Sequence, residues 1–520
     1  MNESKYPHQS TLLWGRTVSI MFVLTLLGQT LGFVRDAIIA AKFGAGVVTD
    51  AFFLAILLPN ATLLFVQNGF TMAVVPTLVS KLATEGEELT QKIASNIINL
   101  TLCIVLIVCG CMLTFAEPII KWLAPNLPME THVLAVSMFR PLTLVGLFGG
   151  LATMLAALLN VYRQYTLPTL FSLIMNLSVV AGVLIFVDTL SWKALVGSTL
   201  AGHFIQILIL LKPLSNIQRY SYIFHPRAPY LGQIITLAWP AIMLLLFQQI
   251  IVIVDRNIAS SLGVGNVAAL TFAARLVLPI SALLIGPLAT MTLPEMARAT
   301  IVNNDEHTQH LASSIFRHTL FILLPVATLL YIVSDSLVSL VFQRGEFVQS
   351  SVELTANIMA FYVLTLVGLG IRQVIVRMFF AAQDSRVPLL SGAVRMIINL
   401  ALNVVLARSV GIIGIAMASG VAIIIDVILM VGVMVRQKRL QIKLDFVSKI
   451  LCAVILTTLV GTAVHKLIKA FTLIQPIFIE NLVVVSLTTI SIVTTYLGVS
   501  VLLRMPEKDI FINIVRRPFR

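Results

Sequence analysis

Charged residues are scarce in this chain. Only 11% of its 520 residues are Asp, Glu, Lys or Arg, whereas 58% are hydrophobic, and the mean hydropathy is +1.00. One soluble core could not bury so much apolar surface, and apolar runs of bilayer length recur from end to end. The apolar-polar alternation of a transmembrane barrel is missing. The composition therefore predicts an all-α polytopic membrane protein.

Motifs of the common enzyme classes are also missing. The sequence has no Gly-rich phosphate loop followed by Lys and Ser or Thr, no nucleophile elbow and no zinc-ligand spacing. Its four cysteines all lie in apolar runs, where small helical residues are expected rather than a metal site. Acidic residues inside the helices are too few and too scattered to form an acid-base pair. We predict that the protein is not an enzyme.

Positive charge is in excess, with 35 Lys and Arg against 22 Asp and Glu. These residues do not form a basic domain with interleaved aromatics, which argues against nucleic acid as a partner. They lie mostly in loops between apolar runs, and alternate loops are richer in them. By the positive-inside rule, this bias predicts that both termini are cytoplasmic and that the number of helices is even.

Apolar runs of spanning length number about fourteen. An internal repeat has a period of about 220 residues, and its three proline pairs are Pro59 and Pro279, Pro168 and Pro388, and Pro76 and Pro294. A repeat of unchanged orientation needs an even number of helices, so we predict two six-helix lobes related by a pseudo-twofold axis along the membrane normal, followed by two C-terminal helices. The predicted boundaries are 1–212 for the N-terminal lobe, 213–230 for a cytoplasmic linker, 231–440 for the C-terminal lobe, and 441–520 for the last two helices and a cytoplasmic tail.

The charges inside apolar runs are the strongest functional signal. Arg35, Asp36 and Asp50 lie in the stretch 28–76, which glycines and prolines interrupt, and such charges belong in a polar cavity. Arginines outnumber carboxylates in the helices, and guanidinium groups match phosphate oxygens, so an anionic, phosphate-bearing substrate is indicated. Simple pairing or snorkelling is the alternative. Because neighbours on a helix do not face each other, we expect Arg35 and Asp36 to need partners from another helix.

Oxygen-bearing side chains in the second lobe form a candidate cation site. They are Asp255, Asn399, Asn403 and Ser419, and Asn399 and Asn403 share a helix face because they are four residues apart. Carboxylate, amide and hydroxyl oxygens suit a hard cation such as Na⁺. Hydrogen bonds between packed helices are the alternative interpretation of the asparagines. Asp426, on a later helix, is a separate candidate for a proton or cation site.

Several of these segments resemble the successive motifs of the MurJ/MviN lipid II flippase family, in the multidrug/oligosaccharidyl-lipid/polysaccharide exporter group. They are LGFVRDAIIAAKFGAG, VDRNIASSLG, FAARLVLPISALLIGPLATMTLPEMA, FQRGEF and FFAAQDSRVPLLSG. The resemblance implies a fourteen-helix protein of the bacterial inner membrane with a cationic cavity between two lobes. Nothing in the sequence requires more than a monomer. It also implies transport, by alternating access, of an undecaprenyl-diphosphate-linked saccharide, lipid II, from the cytoplasmic to the periplasmic leaflet for peptidoglycan synthesis. Candidate partners are membrane lipids and a polymerase.

The resemblance assigns Arg35, Asp36, Asp50 and Arg275 to the substrate site, and we add Asn60 and Arg256 to the predicted set. The Na⁺ set is Asp255, Asn399, Asn403 and Ser419; proton coupling is the alternative. The chain departs from the family pattern at Gly28-Gln29, where Ser-Arg is usual, and at 61–69, where two arginines are usual. Two substrate-facing arginines are therefore absent. A flippase for an exopolysaccharide or other lipid-linked oligosaccharide stays an alternative, as does a non-transporting scaffold.

Overall fold

The computed structural model describes residues 11–215, 217–301, 305–471 and 477–508. All regular elements in these ranges are helices, and fourteen stretches are long and apolar enough to cross a membrane, which confirms the predicted helix number. The predicted cytoplasmic termini fall largely outside the described residues. Two compact units are formed, Met1–Gln249 and Ile250–Arg520.

The first unit is built on the long helix α7. Its elements are α1 (Thr11–Phe43), α2 (Val47–Ala55), α3 (Leu57–Gly69), a π-helix (Phe70–Val74), α4 (Val75–Glu85), α5 (Glu87–Thr114), α6 (Ala116–Leu123), α7 (Met129–Val161), α8 (Thr166–Thr169), α9 (Phe171–Leu190), α10 (Trp192–Ser215) and the first half of α11 (Pro229–Ser261). Helices α2, α3, α5 and α10 all pack on α7. Gly149 of α7 permits this close approach, because a Cβ there would overlap the side chain of Leu63 on α3.

The second membrane-spanning stretch, Val47–Glu85, is one apolar run but not one regular helix. It comprises α2, α3, the π-helix and α4, with Pro76 in the first turn of α4. Proline is tolerated there because the first backbone N–H groups of a helix have no intrahelical acceptor. A π turn inside a helix is rare and is often found at functional sites. The interruptions that the glycines and prolines predicted are thus present in this stretch.

A polar strip on α5 holds the linker that precedes α11. The side-chain amide of Asn96 donates to the His225 carbonyl oxygen at 3.1 Å and to the Tyr230 hydroxyl at 2.5 Å, and its oxygen accepts from the His225 N–H at 2.6 Å. Gln91 donates to the carbonyl oxygen of Ile217 at 2.8 Å, and Asn99 donates to that of Ile223 at 2.9 Å. The linker is therefore fastened along two turns of α5. The Ser95 hydroxyl accepts from the Ser221 N–H at 3.2 Å. We call Gln91, Ser95, Asn96 and Asn99 the linker clamp.

The second unit is built on α12, α15 and α17. It contains the second half of α11, α12 (Asn266–Ile301), α13 (Asp305–Ile332), α14 (Ser334–Phe342), α15 (Gln349–Ala381), α16 (Arg386–Val410), α17 (Ile412–Arg436), α18 (Leu444–Phe471), α19 (Ile477–Leu502) and a 3-10 turn (Pro506–Lys508). Phe272, Phe342 and Phe347 form a buried aromatic cluster, with ring centroids 4.9 to 5.7 Å apart. This cluster joins α12 to the end of α14 and the loop after it.

The last two helices belong to the second unit. The hydroxyl of Tyr496 on α19 donates to the Phe321 carbonyl oxygen on α13 at 3.1 Å, and their rings are 5.1 Å apart. Lys469 at the end of α18 lies 2.6 Å from Asp335 on α14. These contacts attach α18 and α19 to α13 and α14.

Candidate substrate and cation sites

Arg35 on α1 is held by one carboxylate and one amide. Its Nε and Nη2 donate to Oδ1 of Asp36 at 3.0 and 2.9 Å, and its Nη1 donates to Oδ1 of Asn176 on α9 at 2.9 Å. Arg35 therefore pairs directly with its neighbour, which was predicted only as the alternative. Although their Cβ atoms diverge, the long arginine side chain curls back to the adjacent carboxylate. The expected partner from another helix is also present, as Asn176.

Asn176 fixes the position of this arginine. Its Nδ2 donates to the Gly28 carbonyl oxygen at 2.8 Å, which leaves Oδ1 turned toward Arg35. Gly28 is required for the close approach of α1 to α9, because a Cβ there would lie 2.9 Å from Cβ and Oγ of Ser172. The sequence reasoning missed Asn176. A lone asparagine within an otherwise apolar helix was the available signal.

Asp50 and Asn60 lie on other helices of the first unit. Asp50 is buried in the first turn of α2, where the helix dipole favours a negative charge. Asn60 is half-buried in the first turn of α3, next to Pro59. The four predicted residues of this unit are thus distributed over three successive helices, α1, α2 and α3.

Arg256 and Arg275 belong to the second unit. Arg256 on α11 donates to the carbonyl oxygen of Val267 at 2.9 Å and also to the hydroxyl of Thr271. Both acceptors are on α12, which also carries Arg275 one turn beyond Thr271. Arg256 is therefore held by two contacts to the helix that also carries Arg275.

The four residues predicted to bind a cation form a closed ring of hydrogen bonds. Nδ2 of Asn403 donates to Oδ1 of Asp255 at 2.7 Å and to Oδ1 of Asn399 at 2.9 Å. Nδ2 of Asn399 donates to the Ser419 hydroxyl at 3.2 Å, and that hydroxyl donates to Oδ2 of Asp255 at 3.4 Å. Helices α11, α16 and α17 thus converge on one carboxylate, as the sequence predicted.

One oxygen of this ring lacks a partner. Oδ1 of Asn403 is buried and accepts no hydrogen bond from any residue that the structure describes, and Asn403 itself is 0% exposed. A buried acceptor beside a buried carboxylate is expensive unless a donor or cation compensates it. The donor set is one carboxylate with neutral oxygens, and no group of three or more His, Cys, Asp or Glu is found among the described residues. This chemistry suits a hard monovalent cation.

A second buried charge pair lies nearby in the same unit. Nε of Arg372 on α15 is 2.7 Å from Oδ2 of Asp426 on α17, and Asp426 is 0% exposed. Arg372 also lines a cavity of about 220 Å³ with Gln373 and Ser281. Asp426, predicted as a separate proton or cation site, is thus the partner of Arg372. Sequence reasoning missed this pair, because the two residues are 54 positions apart.

Comparison with known families gives a consistent result. The family model described as "Lipid II flippase MurJ" matches residues 39–488. The chain belongs to the MurJ family. A probable lipid II flippase MurJ from Rhizobium meliloti is 27% identical over 462 residues, covering 85% of this chain and 84% of the relative. The lipid II flippase MurJ of Burkholderia cenocepacia is 26% identical over 421 residues, covering 78% and 81%.

Solved structures show the MurJ fold. The structure described as "Lipid II flippase MurJ, inward closed conformation" has a TM-score of 0.78 and 21% identity, and it covers 93% of this chain and 98% of that one. An inward-facing multidrug resistance MATE transporter has a TM-score of 0.66 and 16% identity, covering 81% and 98%. The family resemblance seen in the sequence motifs is therefore confirmed.

As a MurJ family member, the chain has its predicted site residues in two groups. The first unit holds Arg35 with Asp36, and also Asp50 and Asn60. The second holds Arg256, Arg275 and the ring around Asp255. One group is thus centred on a fixed guanidinium, and the other contains a buried carboxylate.

Proposed function

We propose that the protein is a flippase that moves lipid II from the cytoplasmic to the periplasmic leaflet of the bacterial inner membrane. Family membership supports this function, as do relatives whose names state it. The observation that carries the proposal is the geometry of Arg35, a guanidinium at membrane depth that Asp36 and Asn176 hold in one orientation. The protein acts as a transporter and not as an enzyme.

Arg35 and Arg275 bind the diphosphate in this proposal. Three hydrogen bonds occupy only some of the five donors of the Arg35 guanidinium, so the remaining N–H groups are available to phosphate oxygens. Asp36 balances part of the charge, so the site retains an anion without holding it permanently. Alternating access then carries the saccharide head group across the membrane. During this step Asp50, Asn60 and Arg256 contribute polar contacts to the substrate.

The ring around Asp255 binds Na⁺ as the coupling ion. Asp255 supplies the negative charge, and the oxygen atoms of Asn399, Asn403 and Ser419 replace water around the cation. The partnerless Oδ1 of Asn403 supports this assignment. Proton coupling through Asp255 is the alternative.

The missing arginines favour one further candidate, a flippase for another lipid-linked saccharide. Gly28 occupies a tight contact with Ser172, and Gln29 stands where an arginine is usual in the family. A cavity with fewer cations suits a less anionic head group. In either case we place both termini in the cytoplasm, by the positive-inside rule, and expect a monomer among membrane lipids, with a cell-wall or polysaccharide polymerase as a further partner.

Complementation tests the function. The wild-type chain should restore growth to bacteria depleted of their own lipid II flippase, whereas Arg275→Ala should not, at equal abundance in the membrane. The matched control is Arg298→Ala on the same helix, because that side chain is 77% exposed and should be dispensable. A well-expressed wild type that fails to rescue would favour another lipid-linked saccharide. Full rescue by Arg275→Ala would refute the substrate site.

A further inference from the structure

Polar side chains on α16 and α17 extend from the Asp255 ring toward the Arg372–Asp426 pair. Asn399, Asn403 and Asp426 are buried, and Arg395 and Ser419 are half-buried. On α16, Arg395, Asn399 and Asn403 follow one another at intervals of four residues, so they share one face. On α17, Ser419 and Asp426 are seven residues apart and also share a face. Because Asn399 contacts Ser419, the two faces meet. Arg395 therefore lies one turn from the ring, on the face that the ring occupies.

Arg395 has two carboxylates within electrostatic range, Asp255 and Asp426, and the guanidinium of Arg372 as well. Both carboxylates take their hydrogen bonds from other groups. Asp255 accepts from Asn403 and Ser419, and Oδ2 of Asp426 accepts from Arg372. Oδ1 of Asp426 is buried and has no partner among the described residues. Arg395 can therefore pair with either carboxylate. Of the two, Asp426 has an oxygen without a partner among the described residues.

We propose that Arg395 is a positioning residue that competes with the coupling cation for Asp255. Without the cation, the guanidinium compensates the charge of Asp255. Once a cation enters the ring, two positive charges repel each other beside one carboxylate, so Arg395 turns to the vacant oxygen of Asp426. The inference rests on the proposed cation site. It deepens that proposal, because it names the side chain that changes partner when the cation binds.

This exchange would extend the effect of cation binding to Arg372. Arg372 shares Asp426 with the incoming Arg395, and it also lines the cavity that contains Gln373 and Ser281. A second guanidinium at Asp426 weakens the hold of the carboxylate on Arg372. The positive charge available to that cavity therefore increases when the cation is bound.

The test is the Na⁺ dependence of thermal unfolding of the purified full chain, at constant ionic strength with choline as the replacing ion. Arg395→Gln should lower the Na⁺ concentration at the midpoint of the stabilisation by about tenfold, because the competitor is removed. Arg395→Lys should stay near the wild type. The matched control is Arg408→Gln, at an exposed position on the same helix. A purely structural role for Arg395 predicts weaker Na⁺ binding instead.

A second variant should shift the Na⁺ midpoint in the opposite direction. Asp426→Asn removes the alternative carboxylate, so Arg395 stays with Asp255 and the Na⁺ midpoint should rise. This measurement keeps the inference testable if Arg395→Gln does not fold. No Na⁺-dependent shift in the wild type would overturn the cation site itself. If Na⁺ stabilises the wild type but Arg395→Gln does not lower the Na⁺ midpoint, the competition is refuted. The cation site itself is then unaffected.

Discussion

Arg35 makes two hydrogen bonds, at 2.9 and 3.0 Å, to a single oxygen atom of Asp36, the residue that follows it in the chain. The carboxylate therefore holds one edge of the guanidinium, while Asn176 holds another from α9. A half-buried arginine that is fixed in this way loses little entropy when an anion binds. Under the proposed function, the pair is a preorganised anion site and not two charges that cancel.

Asn176 should be needed to hold the Arg35 guanidinium in this orientation. Asn176→Ala removes the acceptor of Arg35 and the donor to Gly28, so we expect a large loss of transport with about 1–3 kcal/mol of destabilisation. Asn176→Asp should be inactive as well, because a second carboxylate neutralises the guanidinium. Rescue of flippase depletion measures both variants. Asn68→Ala is the control, since its amide donates to the Leu64 carbonyl oxygen of its own helix. An active Asn176→Asp would contradict the site.

The contact between Gly28 and Ser172 should behave as a coupled pair. Gly28→Ala places a methyl group 2.9 Å from Ser172, so α1 and α9 must separate, at about 1–3 kcal/mol. Ser172→Gly removes the clashing atoms, and we expect the double variant to recover most of the loss. Thermal unfolding of the four proteins of the cycle measures the coupling. Gly110→Ala, where a Cβ meets open space, should be neutral.

Asn403→Asp should change both the cation affinity and the stability of the cation-free protein. A second carboxylate in the ring strengthens cation binding, but two buried like charges repel each other without a cation. The melting temperature should therefore fall in choline and recover in Na⁺. Asp255→Asn should show little Na⁺ stabilisation. If Asn403→Asp melts at the same temperature in both salts, the ring does not hold the ion.

The linker clamp should control the mobility of the linker backbone. Asn96→Ala removes three hydrogen bonds to His225 and Tyr230, so amide hydrogen exchange should accelerate in the described linker residues after Ile217. Mass spectrometry of exchange in detergent measures this change. Thr101→Ala is the control on the same helix, because its hydroxyl bonds only the Ile97 carbonyl oxygen. An unchanged exchange rate in Asn96→Ala would show that these hydrogen bonds do not control the opening of the linker backbone.

Hydropathy was sufficient to predict the helices, because a chain without water around it must satisfy its backbone within each segment. The spacing of Asn399 and Asn403 likewise placed them on one face, and the structure bonds Asn403 to both Asp255 and Asn399. Periodicity cannot, however, identify a partner on a distant helix. The contact of Asn176 with Arg35 and that of Arg372 with Asp426 were missed for that reason.

The direct contact between Arg35 and Asp36 was the less favoured alternative for a different reason. The rule that adjacent helical residues do not face each other describes the directions of their Cβ atoms, whereas a guanidinium ends several bonds further out. The contact of Asn96 with another segment could have been inferred from the sequence. A strip of amides and a hydroxyl in the first turns of an apolar helix has to bond something, and here it bonds the linker.

The clamped linker also determines where this protein can accept a foreign insertion. Exposed loops between helices are the usual sites for fusing a fluorescent reporter or an epitope tag. Here such an insertion between Gln218 and His225 would break the bonds to Gln91 and Asn96. The short turn between α6 and α7 is the better position, because Pro125 and Asn126 are exposed there. A reporter at Asn126 leaves the linker intact.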